Sequence, residues 1–182
     1  MRLQVAFIFA ACVSSVAAIY LDEVGHVDFH HALLGIPSPD STFFLKPLSA
    51  SNASLLYTLS NKAILGAINP RDGAIVWRQH LSRSAQPASA EGILRGCDGN
   101  SAVVGAVGDY ISSWSAQDGR LGWENWILDG VVADIELLDF EDASMSSGSR
   151  DVLALVSGGG VGIVRRLDGE TGKSKWEYKD DR

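Results

Sequence analysis

The stretch NPRDGAIVWRQH, residues 69–80, decides how the chain is read. Asp72-Gly73 is a turn dipeptide, and four residues after the glycine stands Trp77. The offset recurs. SAQDGRLGWENW (115–126) sets Gly119 before Trp123, and DGETGKSKWEYK (168–179) sets Gly172 before Trp176. Aligned on these glycines, the copies agree at other positions. Five residues before the glycine stands an apolar side chain: Ile68, Trp114 or Leu167. Next come Asn69, Ser115 and Asp168, whose side-chain oxygens can bond a nearby backbone N–H and start a turn. The glycine suits a backbone with positive φ. Two residues beyond it, Ile75, Leu121 and Ser174 open a strand-like alternation, which predicts that each shares a strand face with its Trp.

The register extends backwards to VGHVDFHH (24–31), where Gly25 is followed at the same offset by Phe29. This is a degenerate fourth copy with Phe in place of Trp. The glycines are then spaced by 48, 46 and 53 residues, a period that marks a propeller blade or a solenoid unit. From Trp77 onward the apolar-rich runs are 74–80, 92–97, 101–107 and 110–116, then 121–127, 131–140, 151–157 and 161–168. Four short strands per period, rich in Val, Ile and aromatic residues, is the blade count of a propeller. The predicted fold is therefore all-β, a partial β-propeller of four-stranded antiparallel blades. Each motif Trp is expected to be buried in the gap between adjacent blades. Propellers have roughly 4–8 blades, so the three full periods make an incomplete one. With each unit started at its Trp strand, the last strand, Ser174 to Tyr178, falls in a sheet whose other strands lie beyond Arg182.

Residues 1–17 read as a leader and not as part of the fold. Arg2 precedes the apolar run LQVAFIFAACV (3–13), and Ser15 and Ala17 supply small residues for cleavage after Ala17, with cleavage after Ala18 the near alternative. Residues 18–182 then form the N-terminal part of a lumenal β-propeller of about three blades. The sequon Asn52-Ala53-Ser54 makes Asn52 a glycosylation candidate behind such a leader. Cys12 departs with the leader, which leaves Cys97 either as a buried thiol or paired outside this segment. Net charge is −7 and no basic run occurs, which argues against a nucleic-acid surface.

The chemistry-bearing residues do not assemble into a reactive set. The repeat register places His26, Asp28 and His30 on one solvated strand face beside Phe29, so no metal site is assigned. SGGGVG (157–162) lacks the lysine of a P-loop and reads as a strand-to-strand turn. In DIELLDFED (134–142), Asp134 and Glu136 alternate with Ile135 and Leu137, the pattern of a half-exposed strand. No catalytic residue and no cofactor is assigned.

LGAINPRDGAIVWRQ (65–79) resembles the pyrroloquinoline-quinone-type propeller repeat, so the blades are quinoprotein-like. AIYLDEVGHVDFHHALLG (18–35), with its Tyr-x-Asp-x-Val-Gly element, and the run from Leu55 to Leu81 narrow the likeness. Together they resemble the N-terminal region of the subunit 1 family of the endoplasmic reticulum membrane protein complex. That resemblance implies a non-catalytic lumenal scaffold within a large membrane protein whose single membrane helix lies near its far end. It implies the complex's other subunits as partners. Client membrane proteins, tail-anchored and multi-pass, would be reached indirectly, with insertion carried out by those other subunits. The chain itself would be an N-terminal fragment. A quinone-dependent dehydrogenase is the competing reading. It would call for a complete ring, a calcium ion and an adjacent cysteine pair, and Cys97 has no neighbouring Cys. A lumenal stress sensor is a third.

Overall fold

The computed structural model describes residues 33–47, 53–81, 92–96, 101–138 and 150–180. The leader, Gly25, the histidines around Phe29, Asn52 and Cys97 lie outside the described residues. Among the described residues every regular element is a strand. The strands are β1 (Pro37–Leu45), β2 (Leu55–Ser60), β3 (Ile64–Ile68), β4 (Ile75–His80), β5 (Ile93–Arg95) and β6 (Ala102–Val107). They continue with β7 (Tyr110–Ser115), β8 (Leu121–Trp126), β9 (Val131–Leu138), β10 (Asp151–Gly158), β11 (Val161–Leu167) and β12 (Ser174–Lys179). They form three four-stranded antiparallel sheets, β1 to β4, β5 to β8 and β9 to β12, each a meander.

The phase of the repeat differs from the sequence reading. The Trp strand closes each sheet and does not open it, so Trp77, Trp123 and Trp176 sit on the terminal strands β4, β8 and β12. The last motif strand is correspondingly not stranded among missing partners: β12 pairs with β11 from Ile163↔Lys179 to Leu167↔Ser174. The hairpins that end in each Trp strand were legible, but composition alone does not say which of four strands comes first.

The second sheet is covered on both faces. β6 runs AVVGAV with five of its six residues buried. Val103 and Val107 join the core shared with the first sheet, whereas Val104 and Ala106 join the core shared with the third. β7 divides likewise, Tyr110 and Trp114 to one side and Ile111 to the other. A strand buried on both faces cannot alternate apolar with exposed polar residues, which is why AVVGAV is nearly continuous and why the polar residues inside β7 are the small Ser112 and Ser113. The first strands of successive sheets lie against each other. Ser41 donates its hydroxyl to the Gly92 carbonyl at 2.8 Å and accepts the Leu94 N–H at 3.2 Å. Arg95 bridges the Asp40 carbonyl, 3.4 Å away, and the Asp134 carboxylate, 3.0 Å away.

Bulges reset the alternation. In β9 the register slips opposite Leu155 and Val156, and this turns both Val132 and Ile135 into the core while Asp134 and Glu136 stay exposed. SGGGVG is the tight hairpin between β10 and β11, with Gly159 at φ 60° and Gly160 at φ 82°. Positive φ at both central residues is the demand of a type I′ turn, which glycine meets at little cost.

Candidate functional site: the inter-sheet tryptophan clip and its open copy

Each motif turn has the same hydrogen bonds. Gly73 N–H donates to the Asn69 carbonyl, Gly119 N–H to that of Ser115, and Gly172 N–H to that of Asp168, at 2.8–2.9 Å. The side chains one residue earlier in each motif, Asp72, Asp118 and Thr171, accept the N–H of Ala74, Arg120 and Lys173. The three glycines have φ of 70°, 67° and 69°.

One residue before each Trp is a β-bulge. Ile75 pairs with Ile68 but Trp77 pairs with Ala67, leaving Val76 extra. Gly122 and Lys175 are the extra residues in the other two sheets. The bulge overturns the expectation that Ile75, Leu121 and Ser174 share a face with their Trp. Their cross-strand partners are adjacent residues, which point to opposite faces.

The bulge aims the indole at the next sheet. A Cβ on Gly119 would stand 2.5 Å from the Trp77 ring, and one on Gly172 would stand 2.5 Å from the Trp123 ring. Each ring therefore lies on the turn glycine of the following sheet, where no other residue fits. Trp77 Nε1 donates to the Ala116 carbonyl at 3.1 Å, and Trp123 Nε1 to the Gly169 carbonyl at 2.9 Å. Both acceptors lie three residues before the glycine. Two residues after each Trp, an amide completes the clip. Gln79 Nε2 donates to the Gly119 carbonyl at 2.8 Å, and Asn125 Nδ2 to that of Gly172 at 3.3 Å.

Trp77 and Trp123 are accordingly 8% and 7% exposed, but Trp176 is 45% exposed. The expectation that all three are buried does not hold. Trp176 stands at the equivalent place, opposite Arg166 as Trp77 stands opposite Ala67, yet the described residues offer no fourth turn for its ring. Tyr178, at the position of Gln79 and Asn125, is exposed, and so is Leu155. This outer face of the third sheet is the donor half of a clip.

Its polar part is a buried carboxylate. Asp151 is 1% exposed and accepts from Lys175 Nζ at 2.9 Å, Arg166 Nε at 2.6 Å and the Gly169 N–H at 3.1 Å. Burial by itself pushes the Asp151 carboxyl up, but Lys175, Arg166 and the Gly169 amide outweigh it and hold the group below the usual carboxylate range. Asp168 is likewise raised by burial and pulled down further, to about 2, by Lys175, the Thr171 hydroxyl and the turn amides. The two carboxylates fix the DGETGK turn that receives Trp123. Sequence reasoning missed Gln79 and Asn125, although an amide two residues after the Trp was a readable signal. It also missed Tyr57, whose hydroxyl donates to the Ala116 carbonyl at 2.6 Å, and Asp151, which carries no motif.

Consecutive four-stranded meanders, packed face to face and clipped through a repeated turn, define a β-propeller. The chain belongs to the family of the EMC1 N-terminal beta-propeller domain, whose model matches residues 18–182. It is 27% identical over 128 residues to ER membrane protein complex subunit 1 of Gallus gallus, covering 70% of this chain and 12% of that protein. It is 25% identical over 114 residues to the protein of the same name from Schizosaccharomyces pombe, covering 63% and 11%. The chain thus spans about an eighth of the relatives it matches. Among solved structures it is similar to a europium-containing methanol dehydrogenase, with TM-score 0.54 at 18% identity over 78% of this chain and 27% of that one. A quinohemoprotein alcohol dehydrogenase from Comamonas testosteroni gives TM-score 0.51 at 16% identity, over 76% and 22%. That likeness is one of fold.

Proposed function

We infer that the chain is the N-terminal part of a lumenal β-propeller in a scaffold subunit of the endoplasmic reticulum membrane protein complex. It acts without catalysis of its own and supports insertion and folding of tail-anchored and multi-pass membrane proteins by the other subunits. The observation that carries this reading is the family match over residues 18–182. Two features support it. The aromatic and amide side chains of the motif are spent on holding sheet to sheet. The outer face of the third sheet has the donors of a further clip, ready for the turn glycine of a following blade, and relatives of this chain are long enough to supply one. Residues 1–17 serve as a cleaved leader that brings this region to the lumen, and the membrane anchor belongs to the remainder of the protein.

The test is assembly. The full-length protein, epitope-tagged and extracted from endoplasmic reticulum membranes in mild detergent, is expected to bring down the other subunits of that complex, identified by mass spectrometry. Recovery of the tagged protein without any of them contradicts the assignment.

A further inference from the structure

The two inter-sheet spaces are built alike but not filled alike. In the first, Tyr57 stands opposite Ala67, its ring 5.9 Å from that of Trp77 and its hydroxyl on the Ala116 carbonyl, and Leu55 packs beside it. The register places Val104 and Ala102 in the second sheet where Tyr57 and Leu55 stand in the first, and Ser113 where Ala67 stands. Three substitutions thus remove a phenol ring and a branched aliphatic side chain and add one hydroxyl. The bulge residue changes in the same direction, from Val76 to Gly122, which bares the outer margin. A cleft of about 370 Å³ opens at this place, lined by Ser101, Ala102, Ser113, Ser115, Trp123 and Gly169 among others. An apolar cavity of ~150 Å³ already takes up a benzene ring. Ser113 is 3% exposed and lines the cleft, and its hydroxyl has no hydrogen-bond partner among the described residues. A buried hydroxyl without a partner is costly and marks a place for a polar ligand atom.

We propose that this cleft between the second and third sheets is a binding site for a phenol group, the side chain of a tyrosine on an extended partner segment. The ring takes the place of the Tyr57 ring in the neighbouring space, beside Trp123 as Tyr57 is beside Trp77, but it enters from the solvent side and so points its hydroxyl inward, away from the Gly169 carbonyl that corresponds to Ala116. The phenol O–H meets Ser113. The cleft opens next to Leu121 and Gly122 of β8, the terminal strand of its sheet, so a polypeptide can approach along that edge.

Ligand-observed saturation-transfer NMR on the full chain tests this with p-cresol as the probe, toluene as its counterpart without the hydroxyl, and the peptide Gly-Gly-Tyr-Gly-Gly as competitor. Saturable transfer to p-cresol is expected, with toluene weaker by roughly fivefold, the worth of one net hydrogen bond. Ser113→Ala keeps the packing and is expected to bring p-cresol down to the level of toluene. Val104→Tyr fills the cleft from within and is expected to abolish binding of both. The peptide is expected to displace p-cresol. Equal binding of toluene and p-cresol, unchanged binding in Ser113→Ala or in a folded Val104→Tyr, or failure of the peptide to compete overturns the proposal.

Discussion

At the scale of the residue, one side chain type performs one task in two places and is left without its counterpart in a third. Trp77 and Trp123 each bury a ring against a glycine that tolerates no side chain. Truncating a buried aromatic costs about 3–5 kcal/mol, whereas a surface change away from such contacts stays within about 0.5 kcal/mol. Trp123→Ala is therefore expected to move unfolding of the isolated chain to clearly lower denaturant concentration, and Trp176→Ala to move it much less. Equal shifts would mean that the repeat does not act through the clip. Asn52 is a separate expectation at this scale. Made in a eukaryotic secretory system, the protein is expected to gain gel mobility on treatment with an N-glycosidase, and Asn52→Gln to abolish that shift. An unshifted wild-type band counts against it.

At the scale of the element, the turn of the third sheet depends on charge. Asp151 and Asp168 both titrate below their ordinary range in the folded chain. A depressed folded value means that the stabilisation is fully present above the unfolded value near ~3.9 and is lost as pH falls through the folded values. The melting temperature is thus expected to fall steeply below about pH 4. Asp151→Asn removes the negative charge that Arg166 and Lys175 share, while Lys175 keeps Asp168 at 3.0 Å, and is expected to cost about 1–3 kcal/mol at neutral pH, with a shallower fall in acid. An unchanged acid slope in that variant would remove Asp151 from the account. The strands were legible because β6 and β10 read as dense apolar runs between turn residues. The bulges before each Trp were not, since a bulge adds a residue without changing composition. Nor was Asp151, because a buried carboxylate is recognisable only once Arg166, Lys175 and Gly169 have been brought to it from 15 to 24 residues away.

At the scale of the whole molecule, repeat units lean on their neighbours, and an uncapped unit leaves apolar surface in water. Here that surface includes Leu155, Trp176 and Tyr178, beside β12, which among the described residues has a neighbour on one side only. The central claim is that this face is the unoccupied half of a blade-to-blade clip. Its most direct test is size-exclusion chromatography with light scattering on purified residues 18–182, joined to a thermal melt. Self-association and a low, broad transition are expected, with association relieved when Leu155, Trp176 and Tyr178 are all replaced by Ser. A monodisperse monomer with a sharp cooperative melt would contradict the claim that a further blade belongs there.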